Sequence, residues 1–554
     1  MKLECRENWF PFLNCFQEIE SCNKSRVMQS PKTRTTYDEI PYESRPFPQS
    51  HPDRLATLGR LFGMSPAPVT RCRVLELGCA GGDNLIPMAF HLPGSEFVGV
   101  DLSGRQVATG RGVIEDLSLK NIRIEHASIM DMDSSWGIFD YIICHGVYSW
   151  VPDEVQGKIL AVASKNLAPQ GIAYVSYNTY PGWHMREMIR HMMLYHANQF
   201  EETQERIDQA RALVDFLAES VPAEEDPYGL LLNRELDAIR SSSDSYLFHD
   251  HMEEVNAPVY FYQFAERADR HGLQYLSEAN LATVLTTGFP REVAETLDRI
   301  SDDLIRNEQY MDFVRNRMFR QTLLCRRGFP LKRRLGGEDV SNLLVASAAS
   351  PDTEPVNLAP GVRHSFEAPG GLPVETDFPL TKAALAVLMK HWPRAVDLDT
   401  LFEEASRRLD NTPGHKEADV QKSRRVLADD LLQCYAANAV ELHTWQADFV
   451  AEVSERPTVS RLASYMAGKG QFVVNQRHES VHPDPIARQL LCLLDGTLNR
   501  PALLKRVKEQ VDNGTLVLNE DRENSANAER TKGDLSEAVE EGLAELAANA
   551  LLVG

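Results

Sequence analysis

The sequence predicts an α/β fold: a doubly wound sheet of parallel strands with helical insertions, a small β-rich middle segment and a helical, winged-helix-like C-terminal region. Three observations carry this. The segment RVLELGCAGGDNL, Arg73 to Leu85, is a short apolar run that breaks into a glycine-rich turn and passes into a helical pattern. A second apolar run, FVGVDLS, spans Phe97 to Ser103, and further apolar runs alternate with helical patterns to about residue 183. Strand–helix alternation of this kind builds a parallel sheet with right-handed crossovers. From about residue 378 the chain is helical and repeats itself.

Residues 1–33 lack a clear period and read as a poorly ordered extension ahead of a core at 34–183. Tyr37 to Asp53, YDEIPYESRPFPQSHPD, has the proline and aromatic content of a lid or lead-in arm. A helix over Arg54–Phe62 precedes the first strand, and another runs from about Asn84 to His91. Later strands are expected at Ile122–Glu125, Tyr141–Cys144 and Ile172–Tyr177. The span 184–329 is mostly helical, a regulatory or dimerisation region. Met185, Met188, Ile189, Met192 and Met193 form a stripe at helical spacing, which suits packing against another helix. Two strands there, Leu273–Leu276 and Phe319–Arg327, are positioned to close the sheet as an antiparallel pair. Glycine and proline punctuate the β-rich segment 330–377. In 378–554, LLQCYAANAVEL parallels GLAELAANALLV, so two winged-helix-like copies are expected.

At 554 residues with 43% hydrophobic content, the chain can bury substantial cores in roughly three or four domains. Its net charge of −22 disfavours nucleic acid, whose phosphates need clustered Lys and Arg. The nine cysteines are scattered, odd in number and free of any Cys-x-x-Cys, so reduced thiols in the cytoplasm are expected. No stretch approaches the ~18 apolar residues of a membrane span. His249 and His251, followed by Glu253 and Glu254, suggest a metal only superficially. Residues i and i+2 do not share a helix face, so a polar cap or surface is expected and no metal.

The glycine turn decides the ligand class. A nicotinamide fingerprint needs G-x-G-x-x-G, but the second and third positions are Ala80 and Asp83. A phosphate-binding P-loop fails for want of Gly-Lys-Ser/Thr. What remains is E-x-G-x-x-G-G, with Glu76 inside the first strand and Asp101 closing the second, 25 residues on. This resembles motif I and the acidic loop of class I S-adenosylmethionine methyltransferases. Other nucleotides and a purely structural turn stay open on the motif alone.

RVLELGCAGGDNLIPMA, FDYIICHGVYSWVP and SYNTYPGWHMREMIRHMM together resemble bacterial methyltransferases with a methyltransferase regulatory domain. SYLFHDHMEEVNAPVYFYQFAERADRHGLQYLSEA resembles that regulatory domain itself, and the likeness runs from about Thr35 to the C-terminus. The family includes rickettsial protein lysine methyltransferases, which modify outer-membrane surface proteins and have cofactor-binding, dimerisation, middle and C-terminal domains. The resemblance implies a seven-stranded class I sheet, S-adenosylmethionine as cofactor, a homodimer, and protein lysines among the substrates, a surface-protein precursor included. It implies that Gly78, Cys79, Gly81 and Gly82 surround the methionine portion and that Asp101 and Leu102 hold the ribose. Ser128, Ile129 and Met130 would flank the adenine, and His145 and Gly146 would lie over the cofactor. Tyr148 and Trp150 would line the methyl face, with Asn178, Tyr180 and Trp183 at the substrate mouth. His145, Tyr148, Asn178 and Trp183 are the catalytic candidates, and the sequence identifies no base.

Methyl transfer is an in-line displacement in which alignment alone can supply ~7–11 kcal/mol of the barrier, so no universal catalytic constellation is required. A lysine of pKa ~10.4 must lose its proton first, which an apolar aromatic mouth favours. A small-molecule methyltransferase is the rival enzyme, and a non-catalytic cofactor-binding regulator the rival from another class. The C-terminal repeat is expected to select or hold substrate, its removal leaving cofactor binding nearly intact.

Overall fold

The computed structural model describes residues 36–554 except 41, 43, 223–225, 241, 411–418, 471 and 517–534; the extension expected over 1–33 lies outside the described residues. Seven strands form the central sheet: β1 (Arg73–Leu77), β2 (Glu96–Asp101), β3 (Ile122–His126), β4 (Phe139–Cys144), β5 (Leu167–Asn178), β6 (Leu273–Glu278) and β7 (Phe319–Arg326). Their order is β3-β2-β1-β4-β5-β7-β6. β1 to β5 are parallel, and β7 runs antiparallel to both β5 and β6. The strand order reverses between β1 and β4, which opens a crevice at their C-terminal ends.

Both faces of the sheet are covered, which is why its inner strands read as nearly unbroken apolar runs. Val74, Tyr141 and Ile172 pack with Leu55, Leu58, Leu85 and Val107 from the helices Pro52–Leu61, Leu85–His91 and Gly104–Asp116. Leu75, Ile142 and Ala173 point the other way, to Ile159, Leu160 and Phe264 of the helices Asp153–Asn166 and Phe261–Arg270. The helix expected over Arg54–Phe62 starts two residues earlier because Pro52 occupies its first turn and His51 accepts the Asp53 N–H.

Four helices, Trp183–Ala197, Thr203–Ser220, Pro227–Arg240 and Asp244–His251, form a satellite with its own core. The methionine stripe is spent within it. Ile189 and Met193 are fully buried and Met188 and Met192 pack against the same core, whereas Met185 is 41% exposed.

The middle segment is less independent than its punctuation suggested. Ser350–Pro351, His364–Glu367 and Val374–Thr376 form a small sheet, but Leu344–Ala346 pairs instead with Val396–Asp397 and Glu441–His443. That strand therefore opens the first C-terminal copy, whose helices are Pro379–His391, Leu398–Asp410 and Val420–Ala436. Lys382 pins the neighbouring loop, its buried ammonium donating to the carbonyls of Asn357, Ala359 and Val362. The second copy repeats the order with Pro485–Leu493, Arg500–Asp512 and Leu535–Ala548, its sheet reduced to the bridges Thr458–Asp495 and Val459–Leu552. One hydrophobic cluster runs from Leu55 through Leu343 and Leu385 to Leu462, so the first copy and the α/β core share an interior. The second copy has a core of its own.

Candidate cofactor site and methyl-acceptor mouth

At the crevice the turn after β1 packs directly under the loop after β4. Gly78 has φ +73°, and a Cβ there would stand 2.4 Å from Val147 Cγ2, so neither the conformation nor the contact admits a side chain. The turn spends its N–H groups internally: Gly78 and Cys79 donate to Val100 O, Ala80 to Asp101 Oδ2, and Gly82 to Cys79 O. Its glycines at 78 and 82 therefore serve close approach and supply no free donors. Asp101 is saturated on one side only, since Ala80 and Ser103 N–H each take one of its oxygens at 2.8 Å. Burial pushes its carboxyl up, against those backbone donors. Cys79 is buried, and burial holds its thiol well above the ordinary range, which excludes it as a nucleophile.

Glu76, next to last in β1, is 3% exposed. Its Oε1 accepts from Asn84 Nδ2 at 2.7 Å, while Oε2 is buried without a protein partner. Burial raises this carboxyl to about 7, helped by the charges of Asp101 and Asp83. Asn84, which sequence reasoning passed over as a helix start, also takes the Phe47 N–H and the His478 ring.

Above the turn, His145 follows β4 with Phe47 of the lead-in arm on its ring at 3.7 Å. Its Nδ1 meets the Tyr174 hydroxyl at 2.8 Å, and desolvation with Arg45 nearby lowers the imidazole to about 3. Gly146, φ +66°, has nothing within 4 Å of a would-be Cβ and leaves room for a ligand. The arm is fastened near its start. Asp38 accepts from Ser103 Oγ at 2.7 Å, and Ile40 O meets His249 Nε2 at 2.7 Å. Beside Asp101, the loop after β3 holds Ser128, whose hydroxyl accepts the Met130 N–H, with Ile129 half-buried and Met130 exposed; Leu102 is also exposed, and its carbonyl meets His126 Nε2.

The acceptor side lies beyond β5. The segment 257–260 runs along its end, with Val259 N–H donating to Asn178 O and Thr179 paired to Val259. Asn178 is buried, and its side-chain Nδ2 has no protein partner. Tyr180 stacks on His184 at 3.9 Å, stands 5.2 Å from Tyr260, and donates to Glu187 at 3.1 Å. Phe319 of β7, 40% exposed, stands 6.2 Å from His145 and carries the aromatic lining inward. Trp183 is buried, donates to Asn256 Oδ1 at 2.8 Å and meets Trp150 edge-on at 6.2 Å. Tyr148 departs from its expected place on the methyl face. It is fully buried against Tyr177 and Phe264, because the turn Tyr148–Trp150 directs that ring into the core.

Glu76, Gly78, Cys79, Gly81, Gly82, Asp101, His145 and Gly146 thus converge at the switch point. Phe47, Asn84, Glu187, Tyr260, Phe319 and His478 were missed. Only the arm's aromatic composition hinted at the first, and nothing in the spacing hinted at His478. His249 and His251, expected at a polar cap or surface, are buried, since the arm and the four-helix satellite enclose them. Among the described residues no group of side chains is arranged to hold a metal.

Seven strands in this order, a motif I turn under a post-β4 loop, and acids ending the first two strands define a class I S-adenosylmethionine-dependent methyltransferase. Comparison with known proteins specifies the family. Residues 69–220 match a methyltransferase domain, 243–326 a predicted methyltransferase regulatory domain, and 455–551 the PKMT C-terminal winged helix domain. The structure of PKMT2 from Rickettsia typhi in complex with AdoHcy is 32% identical, covers 93% of this chain and 100% of that chain, and superposes with a TM-score of 0.82. The Rickettsia prowazekii protein RP789 is 35% identical over 525 residues, 93% of each chain. The chain belongs to the PKMT family. It is an enzyme, and its cofactor is S-adenosylmethionine.

The residues fit that cofactor. Glu76 Oε2 is a buried acceptor suited to a cationic partner, and the backbone at Gly146 is open on its Cβ side. Among the described residues no helix is long and apolar enough to cross a membrane.

Proposed function

We propose that this methyltransferase modifies lysine side-chain amines of a protein. The observation that carries the reading is the mouth built by Tyr180, His184 and Tyr260 around Glu187. Aromatic faces and a carboxylate attract an ammonium, and the apolar walls farther in favour the neutral amine that reacts. The likeness to PKMT2 supports the same reading. Bound cofactor supplies an electrophilic methyl group. The protein's own part is alignment: the Asn178 side-chain oxygen can accept an N–H of the amine and leave its lone pair free for the methyl group, and Phe319 and Phe47 exclude water. His145, an imidazole lowered to about 3, orients the loop through Tyr174 and takes no proton at neutral pH. The amine's proton leaves to solvent before transfer.

The acidic chain suits a basic polypeptide, and the final helix, Leu535–Ala548, carries acids and no Lys or Arg, which disfavours nucleic acid. The enzyme is then a cytoplasmic homodimer acting on a surface-protein precursor. Incubation with radiolabelled cofactor and cell lysate tests it. Label in the protein fraction is expected; label confined to small molecules would overturn the reading. Light scattering checks the dimer.

A further inference from the structure

We propose that His478, at the tip of a hairpin in the C-terminal winged-helix unit, is a positioning residue for the cofactor site, acting through Asn84 on Glu76 and on the arm. The hairpin joins Val473–Val474 to Ser480–Val481. Asn475 shapes its tip by accepting the Arg477 and Glu479 N–H groups, and His478 adopts φ +63°, a conformation uncommon for a residue with a side chain. The strained tip drives the ring inward, where it is 2% exposed.

Asn84 uses its whole hydrogen-bonding capacity there. Its Oδ1 accepts from His478 Nε2 and from Phe47 N–H, both at 2.9 Å. Its Nδ2 donates to Glu76 Oε1 at 2.7 Å and to Ser50 Oγ at 3.1 Å. The two ends of the amide are thereby fixed: the donor end can face Glu76 only while the acceptor end is held by His478 and the arm. Since the Asn84 oxygen can only accept, His478 carries its proton on Nε2 and is neutral, and its buried Nδ1 has no protein partner. His51 and His91 stand near the ring, and Asp83 and Asp101 near Glu76. Residues 394 positions apart in the chain therefore share one amide. The C-terminal unit thereby presets Glu76 and seats Phe47, which covers His145.

Calorimetric titration of full-length variants with S-adenosylmethionine tests this. His478→Phe, which keeps the ring volume, should weaken binding about tenfold, the scale of one unsatisfied buried partner. His478→Gln restores a donor and should recover most of that loss. Lys469→Ala cuts an exposed contact to Asp116 between the same two parts of the chain and should change affinity by less than about twofold. In an Asn84→Ala background, His478→Phe should add nothing. Wild-type affinity in His478→Phe, equal losses in Lys469→Ala, or additive losses in the double variant would each overturn the proposal. Should His478→Phe not fold, Asn84→Asp serves, because it replaces the donor to Glu76 with a second carboxylate. The pH midpoint of cofactor affinity should then rise, and an unmoved midpoint would count against the relay.

Discussion

Glu76 and Asp101 do different work although both are acids at strand ends in the same crevice. Asp101 accepts one backbone N–H on each carboxylate oxygen, which leaves each oxygen capacity for a further donor. Asp101→Ala should cost cofactor binding ~1–3 kcal/mol in calorimetry, the penalty of an unmade buried hydrogen bond. Glu76 has one oxygen tied to Asn84 and one with no protein partner, and its carboxyl sits at about 7. The ionised form is the one that pairs with a cationic cofactor. Affinity should therefore fall as pH drops through 7, by roughly tenfold per unit below it. Titrations at several pH values check this, and Glu76→Gln should flatten the profile. A profile flat in the unmodified protein would mean that Glu76 does not face the ligand.

At the scale of elements, the strands were legible because parallel strands covered on both faces must be apolar throughout, and the glycine turn because its geometry tolerates few other residues. β1 to β5 fall close to their expected positions, and the closing antiparallel pair lies at Leu273–Glu278 and Phe319–Arg326. The cofactor turn was legible for the same reason. The arm was visible only as composition: that Phe47 lies over His145 depends on Asn84 holding the Phe47 N–H, a contact no periodicity encodes. Tyr148 was misplaced because an aromatic residue after a strand suits a site and a core equally. The mouth combines residues from two segments joined by the 178–180 and 257–260 pairing. Tyr180→Ala and Glu187→Gln should raise KM for a lysine peptide about tenfold with cofactor affinity unchanged, read from steady-state kinetics. Equal losses of cofactor binding would show that these residues support the pocket instead.

For the whole molecule, the expectation of a detachable C-terminal repeat gives way to a fused one. Asp53 of the helix Pro52–Leu61 meets His443 at 2.8 Å and Thr444 at 2.7 Å, His443 also meets Glu441 at 3.2 Å, and Arg477 joins Glu441 to the second copy at 2.7 Å. The sequence concealed this because Asp53 and His443 are 390 positions apart. The two carboxylates raise His443 to about 9, against its burial. A histidine whose folded pKa is raised stabilises fully below its unfolded value near 6.5 and loses that contribution as pH climbs to 9. Between pH 7 and 9 the loss should be about 2 kcal/mol, seen as a falling melting temperature. His443→Asn should melt lower at pH 7 and lose much of that slope.

A cofactor pocket that serves a lysine amine must leave its methyl group on lysine. The most direct measurement is tandem mass spectrometry of protein labelled by the enzyme with deuterated-methyl S-adenosylmethionine. The label should lie on lysine Nε atoms, and should fall together in Asp101→Ala and Tyr180→Ala. Label on carboxylate, thiol or imidazole side chains, or none on protein at all, would contradict it.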